Sequence, residues 1–269
     1  MNRAGELMDA AAEAARRGGD VLRARWGTLR TIDYKGGIDL VTDADRASEE
    51  ALLRFIEERF PGSAVLAEES GASGGAATGL RWYVDPLDGT TNYAHGVPHF
   101  AVNVGVADAE GLVAGATLDP LRGELYLAGR GRGAWLGGER LRVSDTSELR
   151  HALLCTGFPY DIQEDPEPVM RLFRAYLGRA RAVRRFGAAA LDLAYVAAGR
   201  FDGFWEMKLK PWDVAPGILL VREAGGSVSD FAGREDMLFG GTICAGNAGI
   251  HRLLLEVLAE VRGARAQPS

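Results

Sequence analysis

The sequence predicts a mixed α/β (α+β) fold, and three stretches carry that prediction. Residues 4–26 place apolar side chains at three-to-four spacing, which is typical of an amphipathic helix. Residues 100–143 hold short apolar segments separated by glycine turns, which indicates an antiparallel sheet. From residue 144 onward, apolar segments alternate with helical patterns. We therefore divide the chain into two halves, 1–143 and 144–269, and expect them to pack as one globular unit.

The composition of the 269 residues is that of an ordinary soluble protein, with 47% hydrophobic and 25% charged residues. A formal net charge of −6 argues against nucleic acid or an anionic membrane as the main partner. No apolar run approaches the length of a membrane span and the N-terminus has no signal-peptide core, so we expect a cytoplasmic protein. Cys155 and Cys244 stand in apolar segments and are expected to be buried free thiols.

After the first helix, the chain continues into a glycine-rich loop that carries Lys35. A second helix is predicted from residue 43 to residue 60, with Thr42 or Asp43 as its N-cap. Asp45 lies in the first turn of this helix, where the helix dipole alone favours an acid. The position of Asp45 therefore has a structural explanation beside any functional one.

Two apolar strands follow, and each of them ends in acidic residues. The strands are predicted at residues 64–67 and 80–84, with a loop of small residues at 71–79 between them. The first strand runs into Glu68 and the second into Asp85. We expect these acidic ends to meet, because the ends of neighbouring strands lie at one edge of a sheet.

The second half alternates strands and helices. Strands are predicted at residues 152–155, 182–185, 201–206, 227–229 and 242–245. Helices are predicted at residues 166–177, 188–198 and 211–224, with a last helix capped by Asn247. The helix at 188–198 consists of small residues that suit close packing, either inside one subunit or, with Arg184 and Arg185 nearby, between two subunits.

Residues 85–93, with the sequence DPLDGTTNY, are the segment on which the functional prediction depends. We expect Pro86 to end the strand pairing after Asp85, because proline has no N–H to donate. Gly89 lets the backbone approach a ligand closely, and the N–H groups after it can face an anion. Two carboxylates, a glycine and two hydroxyls on one turn suit a hard cation that holds a phosphate. A solvent-exposed Asp-Gly turn is the alternative interpretation.

Four acids, Glu68, Asp85, Asp88 and Asp213, lie at strand ends or at a helix N-terminus. Such positions converge at the edge of layered α/β folds, where ligands bind. Carboxylates that share one cleft repel one another strongly, and bound divalent cations make the arrangement stable. Oxygen ligands alone indicate Mg²⁺ or Mn²⁺.

In three separated motifs the chain resembles the inositol monophosphatase family of Mg²⁺-dependent, lithium-sensitive phosphatases. The motifs are AEES at 67–70, DPLDGTTNY at 85–93, and WDVAPG at 212–217 followed by EAGG at 223–226. Their order and spacing are similar from the first helix to the last. The resemblance implies a layered α-β-α-β-α sandwich of the sugar-phosphatase type, two or three Mg²⁺ ions per site, and a homodimer.

The resemblance also implies a role for each residue of the site. The first metal would be held by Glu68, Asp85 and the Leu87 carbonyl, the second by Asp85, Asp88 and Asp213, and a weaker third would lie near Glu68. Phosphate would bind to the N–H groups of Gly89 and Thr90. The catalytic residues would be Asp45, Thr90 and Glu68, with Thr90 and Asp45 orienting and deprotonating the attacking water. Substrate contacts would come from Glu206, Ala189 and Lys35.

The implied activity is hydrolysis of a small phosphate monoester, with inositol 1-phosphate as the first candidate. Fructose 1,6-bisphosphate, histidinol phosphate and 3′-phosphoadenosine 5′-phosphate stay open as alternatives. Ala188 lacks the hydroxyl that the family often has after the glycine at this point, and Lys208 and Lys210 add more positive charge than a neutral polyol requires. A regulatory binding protein on a phosphatase fold is the alternative from another class, although the intact acids and Thr90 argue against lost catalysis.

Overall fold

The computed structural model describes residues 3–28, 32–34, 40–75 and 77–263. The elements of the first half, in chain order, are α1 (Arg3–Arg25), β1 (Ile32–Tyr34), β2 (Leu40–Thr42), α2 (Asp43–Arg59), β3 (Ala64–Ala67), β4 (Gly71–Ser73), β5 (Arg81–Asp88), α3 (Thr90–Ala94), β6 (Ala101–Asp108), β7 (Gly111–Asp119), β8 (Glu124–Gly129), β9 (Gly133–Leu136) and β10 (Glu139–Arg140). Those of the second half are a 3-10 turn (Leu149–His151), β11 (Leu153–Thr156), α4 (Glu167–Leu177), β12 (Ala182–Arg184), α5 (Ala189–Ala197), β13 (Gly203–Met207), α6 (Pro211–Glu223), β14 (Ser227–Ser229), β15 (Thr242–Gly246) and α7 (Ala248–Gly263).

These elements stack in five layers, which confirms the predicted α-β-α-β-α sandwich. Helices α1 and α2 cover one face of an eight-stranded sheet with the order β10-β9-β8-β7-β6-β5-β3-β4. Helices α5 and α6 lie between that sheet and a five-stranded sheet with the order β12-β11-β13-β15-β14. Helices α4 and α7 cover the far side of the five-stranded sheet. We propose a boundary between the halves at residues 143 and 144, because the next strand, β11, joins the second sheet.

Strand β5 lies in the interior of the large sheet, between β6 and β3, and is buried on both faces. It pairs in parallel with β3 and antiparallel with β6. Its side chain Trp82 is fully buried with Leu22 of α1 and Leu52 of α2 in the apolar core between the first two layers. Complete burial of one such side chain contributes about 1.5–3 kcal/mol. The sheet therefore holds β5, and the acids at its end, on a rigid base.

Pro86 interrupts the strand pairing after Asp85, as predicted, but does not end it, because the pairing resumes at Asp88. Strand β5 continues to Asp88, and its register with β6 shifts between Asp85 and Asp88. An irregularity of this kind tolerates a proline, because a residue there does not need to donate to the ladder. The Pro86 carbonyl accepts a hydrogen bond from the Ser48 hydroxyl at 2.9 Å, which ties the irregular stretch to α2.

Four other short elements differ from the sequence predictions. The loop predicted at 71–79 begins with β4, which pairs antiparallel with β3 at the edge of the large sheet. The strands β1 and β2 form a separate two-stranded sheet, and α3 follows directly after Gly89. All four are five residues or shorter, and a segment of that length is too short to show a helical or strand periodicity.

Helix α5 packs within its own chain. All but one of its nine residues are buried, and it contacts α6 together with strands of both sheets. Of the two placements that the sequence left open for this helix, the structure shows the one inside its own subunit, and a role of Arg184 and Arg185 at a subunit interface stays a prediction. Its small side chains instead allow it to fit between two sheets.

Gly217 makes the contact between α5 and α6 possible, and its replacement gives a stability prediction. A Cβ atom at this position would lie 2.6 Å from Leu193 Cβ, which cannot rotate away. We expect Gly217→Ala to lower the free energy of unfolding by about 1–3 kcal/mol through overpacking. Gly5→Ala in α1 is the control, because a Cβ there meets only the Arg132 guanidinium at 3.5 Å and alanine favours a helix. Thermal melts compare the two, and equal melting temperatures would contradict the packing argument.

Two further features of the sequence have a structural outcome. Cys155 and Cys244 are both buried and free, as predicted. Across the residues that the structure describes, no helix is long and apolar enough to cross a membrane.

Candidate active site

A cavity of about 580 Å³ lies where the end of β5, the end of β13 and the first turns of α5 and α6 meet. It brings together nearly all of the residues that the sequence analysis selected. Its lining includes Glu68, Asp85, Leu87, Asp88, Gly89, Thr90, Ala189, Glu206 and Asp213. Asp45 adjoins the cavity through Thr90, and Lys35 lies outside the described residues.

Strands β3 and β5 place Glu68 beside Asp85. The Glu68 N–H donates to the Val84 carbonyl at 3.1 Å, which joins the end of β3 to β5. The turn after Glu68 is fixed by the buried carboxylate of Glu49, which accepts from the N–H groups of Glu69 and Ser70 at 2.9 Å each. The predicted meeting of the two acidic strand ends is thus present in the fold.

Backbone N–H groups orient the two aspartates of β5. The Leu87 N–H donates to Asp85 Oδ1 at 2.9 Å, so the local turn holds that carboxylate. The Ala190 N–H, at the start of α5, donates to Asp88 Oδ2 at 2.7 Å. Asp88 is therefore fixed by a residue that follows it by about a hundred positions, and the second half of the chain helps to build the site of the first.

Burial and mutual repulsion disfavour the charged form of three carboxylates in the cavity and raise their pKa values. Burial, the repulsion of Glu68 and then that of Asp88 raise the pKa of Asp85 well above its usual range. Burial raises the pKa of Asp88 to about 8. For Glu206 burial again acts first, and the charge of Asp192 adds to it, so that its pKa is also well above the ordinary value. Such a group of acids is stabilised when a cation replaces its protons.

Asp213 lies in the first turn of α6, and its carboxylate caps that helix by accepting from the Lys210 N–H at 2.6 Å. Pro216 inside the helix removes the N–H that would pair with the Trp212 carbonyl. The Asn103 amide of β6 compensates, because its Nδ2 donates to the carbonyls of Trp212 and Asp213 at 2.8 and 2.9 Å. The large sheet therefore anchors the turn that carries Asp213.

Asp45 caps helix α2 and also contacts Thr90 at the cavity. Its Oδ2 accepts from the Thr42 N–H at 2.8 Å in a capping box, which is the structural role. Its Oδ1 lies 3.0 Å from the Thr90 hydroxyl, which also lies 3.0 Å from the Leu87 carbonyl and donates to one of the two. Burial raises the pKa of Asp45, as expected for an acid in a poorly solvated place.

Sequence reasoning missed several residues that line the cavity or lie behind its walls. The segment 157–162, which follows β11, lines one wall, and its aromatic side chain Phe158 lies under the Arg185 guanidinium at 5.5 Å. Sequence reasoning also missed Asn103. The signal for it was Pro216, because a proline inside a helix leaves one carbonyl without its N–H donor, so that another donor must supply the hydrogen bond. Asp192 of α5 is fully buried near Cys155, and burial raises its pKa to about 7.

The chemistry of the donor set fits a hard cation. Carboxylates and a backbone carbonyl are the ligands that Mg²⁺ and Mn²⁺ prefer. In the described part of the chain, no three His, Cys, Asp or Glu side chains already surround one point closely enough to coordinate an ion. The carboxylates of Asp85, Asp88 and Asp213 instead each accept a hydrogen bond from a backbone N–H.

The fold and this cavity define a layered α/β protein with an acidic, oxygen-lined site, and comparisons with known proteins give the family. The model of the inositol monophosphatase family matches residues 4–265. The chain is 45% identical to the Nus factor SuhB of Pseudomonas aeruginosa, covering 94% of this chain and 95% of the relative. It is 41% identical to an inositol-1-monophosphatase of Mesorhizobium japonicum, covering 96% and 98%.

A solved structure gives the same result. The extragenic suppressor protein suhB of Bartonella henselae is 40% identical, with a TM-score of 0.90 over 94% of this chain and 98% of that one. The chain belongs to the inositol monophosphatase family. Members of this family are generally Mg²⁺-dependent phosphatases of small phosphate esters.

Proposed function

We propose that this protein is a Mg²⁺-dependent phosphatase that hydrolyses a small phosphate monoester, with inositol 1-phosphate as the first candidate substrate. The observation that carries the proposal is the convergence of Glu68, Asp85, Asp88 and Asp213 on one cavity. Four acids in one cavity serve no packing purpose, and Asp85 is almost fully buried among the charges of the others. Membership of the family supports the same reading.

The acids would hold two ions, and a weaker third near Glu68. One ion would be held by Glu68, Asp85 and the Leu87 carbonyl, and the other by Asp85, Asp88 and Asp213. Mg²⁺ fits this oxygen set, and Mn²⁺ can replace it. When bound, such ions neutralise the charge of a phosphate and make water a better nucleophile at neutral pH.

Thr90 and Asp45 form the proton path in this proposal. The Thr90 hydroxyl is 3.0 Å from Asp45 Oδ1 and can pass its proton to that carboxylate while it accepts one from the attacking water. Gly89, with a φ of +89°, turns the backbone so that its own N–H and that of Thr90 can donate to the phosphate oxygens. Glu68, which lies beside Asp85, would be the third catalytic residue.

The substrate hydroxyls would meet Glu206 and Ala189, with Lys35 approaching from outside the described residues. Glu206 is buried at the end of β13 and lines the cavity, so its carboxylate is available to accept from a polyol hydroxyl. The name of the Mesorhizobium japonicum relative supports inositol 1-phosphate. Fructose 1,6-bisphosphate, histidinol phosphate and 3′-phosphoadenosine 5′-phosphate are the competing substrates.

The test is phosphate release from these four esters with purified protein and Mg²⁺. We expect hydrolysis of at least one of the four esters, and the ranking of their kcat/KM values identifies the substrate.

Three further properties belong to this proposal and have their own tests. Addition of Li⁺ to the same assay tests the lithium sensitivity. Gel filtration with light scattering tests the proposed homodimer, whose interface must avoid α5. Cell fractionation tests the proposed cytoplasmic location.

A regulatory role is the second candidate function, and a relative's name favours it. The Pseudomonas aeruginosa relative is named a Nus factor, so a protein of this family can carry a function other than an enzyme's. The two functions separate in Asp88→Asn. If a macromolecular partner binds wild type and Asp88→Asn equally while phosphate release is lost, the two roles are independent.

A further inference from the structure

We propose that Asn92 is a positioning residue whose side-chain amide holds the start of α5 against the turn that carries Asp88 and Gly89. The inference rests on the proposed function, in which Asp88 is a metal ligand and Gly89 a phosphate donor. Asn92 lies on α3 within the motif DPLDGTTNY, and neither the ions nor the phosphate of that function need a contact with it. It would act through the residues that it holds.

The hydrogen bonds of the Asn92 side chain are the first observation. Its Nδ2 donates to the His99 carbonyl and to the Phe186 carbonyl at 2.8 Å each, which uses both N–H groups of the amide. The Gly187 carbonyl lies 3.5 Å from the same nitrogen. Phe186 follows Asn92 by 94 positions in the chain. One amide thus joins α3, the segment before β6 and the segment before α5, and it connects the two halves of the chain.

A stack of two rings holds the same junction. The centroids of the His99 and Phe186 rings lie 4.9 Å apart, and the ring planes are inclined at 36°. Phe186 is 40% exposed, whereas Asn92 lines the cavity, so the stack reaches the surface while the amide lies at the cavity wall. The two segments are therefore fixed through their side chains and through their backbones, and only the second of these depends on Asn92.

Two glycines bring the backbones at this junction into direct contact. A Cβ atom on Gly89 would lie 3.1 Å from the His99 carbonyl oxygen and 3.3 Å from that of Gly187. Gly187 has a φ of +82°, in the left-handed region that favours glycine. The proposed phosphate-binding turn therefore packs on two of the carbonyls that Asn92 contacts, with no side chain between them to absorb a displacement.

The segment that Asn92 holds leads directly into the wall of the site. Ala188 and Ala189 line the cavity, and the Ala190 N–H donates to Asp88 Oδ2 at 2.7 Å. Only three residues separate Phe186 from Ala190, so a displacement of the Phe186 carbonyl reaches the Ala190 N–H. Hydrogen bonds weaken steeply when their geometry is disturbed. We therefore expect that loss of the Asn92 amide weakens the hold of the Ala190 N–H on Asp88.

The experiment compares Asn92→Asp and Asn92→Ala with wild type in two measurements. Both variants lack the amide donors, and alanine adds no charge. Hydrogen–deuterium exchange, followed by mass spectrometry, should be about tenfold faster for residues 185–192 in both variants. The Mg²⁺ concentration that gives half-maximal phosphate release should rise about tenfold, because Asp88 is held less well. The added negative charge of Asn92→Asp alone would lower that concentration, so a rise reports the position of Asp88.

Asn247→Asp is the matched control. The Asn247 Nδ2 donates to the Thr146 carbonyl at 2.8 Å, across 101 positions, and its Oδ1 accepts from the Ile250 N–H at 2.9 Å in the first turn of α7. Aspartate keeps that acceptor and loses only the donors, at a place outside the cavity lining. This variant should leave both the exchange of residues 185–192 and the Mg²⁺ requirement as in wild type.

Unchanged exchange of residues 185–192 in both Asn92 variants would overturn the positioning role. Faster exchange with an unchanged Mg²⁺ requirement would overturn it as well, because the amide would then only stabilise the junction. The exchange measurement needs neither substrate nor metal. It therefore decides whether Asn92 holds the Ala190 N–H even if wild type releases no phosphate and the proposed function fails.

Discussion

Asp213→Asn should lower kcat by about a thousandfold while the protein stays folded. Asparagine keeps the oxygen that accepts from the Lys210 N–H, so the cap of α6 survives. If Asp213 served only the helix dipole, its charge would contribute about 0.3–1 kcal/mol to stability and nothing to turnover. As a metal ligand it supplies a charge on which the second ion depends. A loss of about 4 kcal/mol of barrier stabilisation corresponds to about a thousandfold in rate.

The measurement is kcat at saturating Mg²⁺ together with a thermal melt. Glu167→Gln is the control, because Glu167 also lies in the first turn of a helix, α4, but is remote from the cavity. Both substitutions remove one acid from a helix N-terminus, so both should change the melting temperature only slightly. A folded Asp213→Asn protein with near wild-type kcat would show that the second metal site is placed wrongly.

Thr90→Val should lower kcat by about a hundredfold to ten-thousandfold, the range that general acid–base catalysis contributes. Valine has the shape of threonine, so the packing of this buried residue is kept. The variant removes the hydroxyl that lies 3.0 Å from Asp45 Oδ1 and therefore cuts the proposed proton path. The loss of a buried hydrogen bond also costs about 1–3 kcal/mol of stability, which a melt will record.

Thr90→Ser separates the chemical role from the structural one. Serine keeps the hydroxyl and loses a methyl group, so it should keep most of the turnover while losing some stability. If Thr90→Ser and Thr90→Val lose turnover equally, the hydroxyl is not part of the proton path. If both variants keep wild-type turnover, the contact between Thr90 and Asp45 has no part in catalysis, and Asp45 acts only as a helix cap.

The mixed α/β class could be predicted because its signals are local, whereas the five-layer order was expected only from the family resemblance. Helices α1 and α2 show an apolar repeat, α2 begins at a recognisable N-cap, and the buried strand β5 is a run of apolar residues. Acidic residues come directly after this apolar run in the sequence, so their place at the end of the strand could also be predicted. The irregularity at Pro86 could not be predicted, because it depends on pairing with β6. A proline has several permitted places at a sheet, and only the neighbouring strand decides among them.

Contacts between distant segments limited the prediction of the site. Asp88 depends on the Ala190 N–H and the turn of Asp213 on Asn103, across about a hundred residues in each case. No local pattern contains such a pairing. The same limit left two placements open for α5, since small residues suit a helix between two sheets as well as a helix at a subunit interface.

Phosphate release from inositol 1-phosphate before and after removal of divalent cations is the most direct test of the central claim. The acidic floor around Asp85 and Asp88 is expected to work only with bound cations, because the substrate phosphate is itself an anion. We predict that release stops in EDTA and returns when Mg²⁺ is added in excess, with a circular dichroism spectrum that shows the same fold throughout. Full activity in EDTA would contradict the metal-dependent mechanism.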